Sequence, residues 1–222
     1  MLRVAKSEET RSLIVTTAMR LFTENGYDRT TMRAIAAEAG VSVGNAYYYF
    51  SSKEQLVQGF YDEIARQHQA AARPLLESET AFAARLRAVL LCWLDIAEPY
   101  HRFGTQFFVN AADPESPLSP FSDDSSAARE ASISLMREVV DGSDVKLDPE
   151  LRDQLPELLW LGQMGVVLFW VHDRSTGTNR SRMLVECSVP LIARLAALSR
   201  LRMFRPVSRE VVDLIRELAK RD

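Results

Sequence analysis

Apolar positions recur in steps of four near the start of the chain, pairing Leu13 with Ile14, Thr17 with Ala18 and Leu21 with Phe22. That spacing lays one stripe along an amphipathic helix, which Asn25-Gly26 brings to an end. The residues ahead of it, MLRVAKSEET, read as a polar arm carrying Arg3 and Lys6. From Thr30 the period continues in shorter pieces. Ile35, Ala36 and Ala39 form a small apolar face, Gly40 supplies a left-handed residue on which a helix can stop, and Val43 to Phe50 makes a second helix of about two turns. Thr30 or Thr31 caps the first of these and Ser42 the second, because a hydroxyl oxygen there accepts a bond from a backbone N–H one turn in. Ser51-x-x-Glu54 and Ser52-x-x-Gln55 are overlapping capping boxes that launch a further helix from Lys53. It runs to about Arg73, where Pro74 interrupts it.

The pattern predicts helices to the end of the chain. Thr80–Ala97 buries Phe82, Leu86, Val89, Leu90, Trp93 and Leu94 and breaks at Glu98-Pro99. Residues 100–112 are aromatic and helical in pattern, and the stretch 113–126, with three prolines, is the clearest loop. Ser126–Val140 is closed by Asp141-Gly142. Asp148 then caps a helix with Pro149 at its first position, running through Pro156 to about His172. Arg180–Leu201 has Pro190 inside it, and Val207–Lys220 carries Val211, Leu214, Ile215 and Leu218 on one face. No strand pattern and no repeat emerges, so the expected fold class is all-α.

Helix, glycine-containing turn and short helix is the helix-turn-helix pattern, whose second helix enters a DNA major groove. The chemistry of that helix agrees. Ser42 and Gly44 leave backbone N–H groups open to a phosphate at its start. Tyr47, Tyr48 and Tyr49 are spread around it by about 100° each, so they cannot all enter one core, and phenolic hydroxyls donate well to phosphate and sugar. One of the three is expected to be half-buried packing with a wet tip. Thr31 and Tyr47 are candidate phosphate contacts, assisted by Tyr48, Tyr49 and Lys53, while Arg33, Val43 and Asn45 are candidates for base edges or thymine methyls.

The segment resembles the N-terminal domain of the tetracycline-repressor (TetR) family of bacterial transcription regulators. The matching residues are Ala18, Leu21, Phe22, Gly26, Tyr27, Thr30, Thr31, Ile35, Ala36, Ala39, Gly40, Val41, Ser42, Gly44, Tyr47, Tyr49, Phe50, Lys53, Glu54 and Leu56. Where the family often has a basic residue before the recognition-helix glycine, this chain has Val43. The resemblance implies a three-helix helix-turn-helix domain over 1–52, with its arm over 1–9, joined to a larger helical effector-binding and dimerisation domain over 53–222. It further implies a cytoplasmic homodimer that binds a palindromic double-stranded DNA operator and leaves it, as a repressor, when a small molecule binds.

Composition changes this picture little. The 222 residues carry a net charge of −3, so this is not a basic nucleic-acid coat protein, and 47% hydrophobic residues suffice for a substantial core. Residues 1–60 hold seven basic and six acidic side chains against twenty and twenty-four in the remainder, a slight asymmetry in favour of a DNA-facing head. Cys92 and Cys187 are isolated in apolar helical surroundings and read as buried reduced thiols, in keeping with a cytoplasm. The N-terminus lacks the apolar run of a secretory signal, and Leu158–Val171 is too short to span a membrane.

In the larger domain, residues 155–171 are apolar nearly all round, and Gly162 and Gly165 are costly in a helix unless another helix approaches. With Leu184, Leu191 and Leu195 on the next helix they are candidates for a two-fold four-helix interface; the alternative is the central helix of a monomeric core. Trp93, Tyr100, Phe103, Phe107, Met136, Trp160, Met164 and Phe169 are candidate effector contacts, together with Phe108, Trp170 and the polar His101, Gln106, Asn110 and Gln163. The same residues also describe an ordinary core. The effector expected of such a lining is apolar or aromatic. His68, His101 and His172 show no metal-ligand spacing, and no phosphate-binding or nucleophile motif is present, so neither an enzyme nor a cofactor is expected. A small-molecule sequestering protein with a vestigial helix-turn-helix is the second reading.

Overall fold

The computed structural model describes residues 2–199, Glu210 and Asp213, and the side chains among them except those of residues 2–6, 106, 109 and 110. Every regular element among the described residues is helical: α1 (Leu2–Asn25), α2 (Met32–Glu38), α3 (Val43–Tyr49), α4 (Lys53–Glu77), α5 (Phe82–Ala97), α6 (His101–Ala112), α7 (Ser126–Asp141), α8 (Pro149–His172) and α9 (Asn179–Leu198). The expected final helix over Val207–Lys220 lies outside the described residues, as do the last residues of the expected Arg180–Leu201 helix. Two expectations need correction. The N-terminal residues read as a polar arm are part of α1, which is helical from Leu2. Nor does Pro74 end α4, which continues to Glu77; a proline so close to the C-terminal end disturbs only a turn that is about to finish.

The helices pack into two compact units, one of residues 1–67 and 99–129, the other of residues 68–98 and 130–222. This division does not coincide with the expected boundary after Ser52. The first unit is larger because α6 and the proline loop supply core to it: Phe103, Phe107 and Leu118 are buried in the same cluster as Ile14, Ala18, Phe22, Ile35, Ala36, Ala46 and Leu56. Gln58 and Tyr61 of α4 fasten the loop, the Tyr61 hydroxyl donating to the Leu118 carbonyl at 3.2 Å and the Gln58 amide to the Pro117 carbonyl. Burial pushes the Tyr61 phenol well above its ordinary range.

In the second unit, α5 packs along α9, and α9 against α8. It holds a buried cation. Arg85 of α5, 5% exposed, donates to the carbonyls of Val139 at 3.0 Å and Glu138 at 2.7 Å, and to those of Leu76 and Glu79. Leu76 belongs to the last turn of α4, and Glu138 and Val139 to that of α7. The guanidinium therefore sits at the negative ends of two helix dipoles and replaces the missing partners of their terminal carbonyls. Gly142 leaves room for it, since a Cβ there would meet the Arg85 Nη2 at 2.3 Å. Ion pairs from Arg182 to Asp95 and Glu98, and from Arg87 to Glu186, fasten α9 to the α5 segment. His68, almost fully buried, donates through Nε2 to the Val89 carbonyl at 2.9 Å; desolvation lowers its pKa against the pull of that bond.

The turn from α8 to α9 is built on one carboxylate. Asp173 accepts from the backbone N–H and hydroxyl of Ser175 at 2.9 and 2.7 Å, and from those of Ser181 at 2.8 Å each. Burial opposes its ionisation, but these four bonds outweigh it and hold the pKa at about 2. The thiols differ from expectation: Cys92 is buried, whereas Cys187 is exposed because it falls on the outer side of α9. With 24 residues, α8 is longer than its apolar segment implied, and by length and composition it could cross a membrane, although 44% of its most apolar window is buried within the protein.

Candidate nucleic-acid interface

The helix-turn-helix is built from short-range bonds. The Thr31 hydroxyl accepts from the Ala34 N–H at 3.2 Å, so Thr31 rather than Thr30 caps α2; the Thr30 hydroxyl turns inward to the carbonyls of Leu21 and Gly26. Gly40 takes φ +68° after α2, and the N–H groups of Gly40 and Val41 close the turn on the carbonyls of Ala37 and Ala36. Ser42 caps α3 by accepting from the Asn45 N–H at 3.1 Å. At the start of α4, Ser52 accepts from the Gln55 N–H, and the Gln55 side chain reaches back to the Ser51 N–H. Of the two expected capping boxes, only the Ser52–Gln55 cap is thus made. Glu54 instead accepts from the Tyr27 hydroxyl at 3.0 Å.

Within α3 only Ala46 is buried. Val43 is 40%, Tyr47 50% and Tyr48 80% exposed, and Thr31, Arg33, Ser42 and Gly44 are exposed beside them. Among the described residues nothing lies within 4 Å of where a Gly44 Cβ would stand, and its backbone is not left-handed. Neither packing nor strain inside the chain asks for glycine there. Asn45 is half-buried, as is Tyr49, whose hydroxyl lies 3.2 Å from the Ser7 hydroxyl; Tyr49 is the tyrosine held in packing with a wet tip.

Lys53 is committed within the chain. Its ammonium donates to the Tyr27 carbonyl at 2.8 Å and lies 4.3 Å from the centre of the Tyr27 ring. The sequence reading missed Tyr27 as the holder of this lysine, although the tyrosine follows the helix-ending Gly26 and was among the family positions. Burial, then the hydrogen bond to Glu54, raises the Tyr27 phenol far above its ordinary range.

The expected effector contacts divide between the two units. Phe103 and Phe107 are buried in the core of the first, with Tyr100 packed on Phe60 at 4.8 Å. They do not join the others, because α6 places its aromatic face against α1. Trp93, Met136, Trp160 and Met164 belong to the second unit, where Trp93 meets Trp170 edge-on at 5.4 Å. Phe169 is 41% exposed and faces a cleft of about 400 Å³ at the α8–α9 turn with His172, Arg174 and Arg180. Gln163 is 2% exposed, and its Oε1 has no hydrogen-bond partner among the described residues. The side chains of Gln106 and Asn110 lie outside the described residues.

The expected interface residues lie on α8 (Gly162, Gly165) and α9 (Leu184, Leu191, Leu195). Among the described residues nothing lies within 4 Å of where a Cβ would stand on Gly162 or Gly165, Leu191 and Leu195 are 57% and 67% exposed, and Leu184 is half-buried. Leu168 on α8 and Met183 on α9 are exposed apolar residues as well. Among the described residues no group of His, Cys, Asp or Glu side chains could hold a metal ion.

Comparison with known proteins agrees with this architecture. Residues 14–59 match the profile of the bacterial regulatory proteins of the tetR family, and residues 85–218 that of the tetracyclin repressor-like C-terminal domain. The transcriptional regulator TtgR of Pseudomonas putida is 41% identical over 68 residues, which are 31% of this chain and 32% of that protein. The matched region thus spans about a third of the curated relative. The fold is shared over nearly the whole length of solved structures at low identity. The TetR transcriptional regulator from Nitrosomonas europaea is 17% identical with a TM-score of 0.63, covering 82% of this chain and 96% of that one. FadR from Bacillus subtilis, solved in complex with stearoyl-CoA, is 17% identical with a TM-score of 0.62, covering 80% and 97%.

Proposed function

Since the chain belongs to the TetR family of bacterial regulatory proteins, we propose that it is a cytoplasmic, non-enzymatic homodimeric repressor that reads a palindromic operator. The observation that carries this reading is the exposed outer side of α3, where Val43, Gly44, Tyr47 and Tyr48 face solvent beside Thr31, Arg33 and Ser42. Thr31, Ser42, Gly44, Tyr47 and Tyr48 meet phosphates, and Arg33, Val43 and Asn45 meet base edges. Tyr49 acts by seating α3, and Lys53 reaches the backbone only by leaving Tyr27. One short helix reads few base pairs, so two copies are needed, about 34 Å or a multiple apart. The exposed Leu191 and Leu195, with Gly162, Gly165 and Leu184, join the copies. With no basic side chain on α3, affinity rests on backbone and hydroxyl contacts to phosphate and on dimerisation.

The effector is apolar or aromatic and enters the second unit among Trp93, Met136, Trp160 and Met164. Gln163 gives the second unit a buried acceptor without a partner among the described residues, which a ligand hydroxyl or N–H would satisfy. The ligand displaces the dimer from DNA to the extent that it prefers the non-binding state.

Selection of genomic fragments with the purified protein, followed by footprinting, tests this reading. A short palindromic footprint is expected. Gly44→Glu should weaken retention by more than about ten-fold through repulsion of phosphate, Tyr47→Phe less so, and Leu191→Glu/Leu195→Glu should sediment as a monomer and lose the footprint. Unchanged affinity in both α3 variants refutes the docking, and no fragment retained at low salt favours the sequestering protein.

A further inference from the structure

The seven residues of α3 carry no charge. Ala46 is buried and marks the inner side of the helix. At about 100° per residue, Gly44 and Tyr48 fall opposite it, with Val43 and Tyr47 on one flank and Asn45 on the other. Tyr47 and Tyr48 serve phosphates in the proposed docking, and the Tyr49 hydroxyl is turned to that of Ser7. The first residues of a recognition helix meet base edges, so base reading by α3 falls to Val43 and Asn45. Asn45 is half-buried. Val43 is 40% exposed, and beside a glycine without a Cβ it presents methyl groups and nothing else. In the major groove the apolar feature of a base-pair edge is the C5-methyl of thymine; the other features are hydrogen-bond donors and acceptors.

We propose that Val43 is the specificity-determining residue of α3 and that it selects thymine by its methyl group. The proposal rests on the reading of α3 as the DNA-facing helix. The isopropyl group covers the C5-methyl of one thymine in each half-site and removes apolar surface from water on both partners. A G·C pair at that place turns the N4 donor of cytosine or the O6 acceptor of guanine towards a side chain that cannot answer it, and a polar group desolvated without a partner is costly. No arginine fork for guanine is available from α3, so hydrogen-bonded readout is left to Asn45 and to the exposed Arg33 of α2. What Val43 recognises is the methyl group, whichever pyrimidine carries it. 5-Methylcytosine bears that group on the same edge, so methylation of a cytosine placed there tightens binding.

Fluorescence-anisotropy titration of the full-length protein with duplexes carrying the footprinted palindrome tests the contact. Deoxyuridine replaces thymidine at one symmetric pair of positions at a time; uracil pairs as thymine does and lacks only the methyl. At one such pair wild type should lose about four-fold for each methyl, about fifteen-fold over the two half-sites. Val43→Ala should bind the thymine duplex more weakly and distinguish the two duplexes by about two-fold or less, because methyl and side chain are coupled. Val43→Ile, still apolar and β-branched, should keep the difference. At the same positions wild type should bind 5-methylcytosine more tightly than cytosine, a comparison that needs no variant. Retention of the palindrome with no thymine whose replacement weakens wild-type binding overturns the methyl contact. Equal binding of cytosine and 5-methylcytosine overturns it too, as does an equal thymine–uracil difference in wild type and Val43→Ala, which readout by another residue or by duplex shape would give. Retention of no duplex at low salt overturns the DNA-binding reading itself, and the contact falls with it.

Discussion

The turn between α2 and α3 and the buried arginine of the second unit meet the same requirement, the unpaired backbone groups at helix ends, in opposite ways. In the turn, each end is satisfied from within a few residues: Thr31 caps at Ala34, Ser42 caps at Asn45, and Gly40 and Val41 bond back to Ala37 and Ala36. In the second unit, one guanidinium reaches carbonyls 9 residues back and 53 and 54 residues ahead. Local caps are nearly independent, so losing one frays one end. Arg85 serves two helix ends at once, and its loss strands several buried carbonyls together. Distance along the chain therefore separates a surface that tolerates change from a core that fails as a unit.

The largest test of that contrast is Arg85→Met. Removing the charge leaves four carbonyls short of a donor, and the cost should be about 3–5 kcal/mol, comparable to breaking a buried charged network. Arg85→Lys should recover little, because an ammonium has three donors on a point charge and cannot span the same fork. Urea unfolding followed by circular dichroism measures both. A loss below about 1 kcal/mol, the worth of a single cap, would erase the distinction between the two regions.

The Asp173 turn lies between these extremes, with partners two and eight residues away. Its carboxyl titrates at about 2 in the folded protein against a reference value of 3.8. The folded pKa is the lower one, so the contribution is present in full above the unfolded value and is lost as pH falls through the folded one. About 2 kcal/mol should therefore separate wild type from Asp173→Asn at pH 6. The gap in urea midpoints should close between pH 4 and pH 2. A gap independent of pH would mean that packing, not charge, holds the turn.

The same contrast explains what could be read from the chain before its structure. The caps at Ser42 and Asp148, the stop at Gly40 and the all-helical period are local events, and each is written within four residues. Tyr100, Phe103 and Phe107 were read as effector contacts because aromatic residues crowd 100–108. Which core they join depends on α6 meeting α1, some eighty residues apart, and no local period records that. Arg85 carries no sequence signal of its role, since its four carbonyl partners lie 6 to 54 residues away. Lys53 was legible as a cation at a helix start, but its bond to Tyr27, twenty-six residues back, was not.

The smallest expected effect is the most informative about the proposed interface. Ser42 both caps α3 and lies exposed on its outer side, so Ser42→Ala should cost about 1 kcal/mol of stability while confusing the two roles. Two substitutions separate them. Ser42→Asn and Ser42→Asp both keep an oxygen that can accept from the Asn45 N–H, and an aspartate at a helix N-terminus is favoured by the dipole as well. Stability should therefore stay within a few tenths of a kcal/mol of wild type in both. Only the aspartate places a negative charge where a phosphate is proposed to sit. DNA retention should be near wild type for Ser42→Asn and fall several-fold for Ser42→Asp, with the deficit shrinking as salt screens the repulsion. Equal retention by the two variants would remove the phosphate from the N-terminal end of α3 while leaving the cap intact.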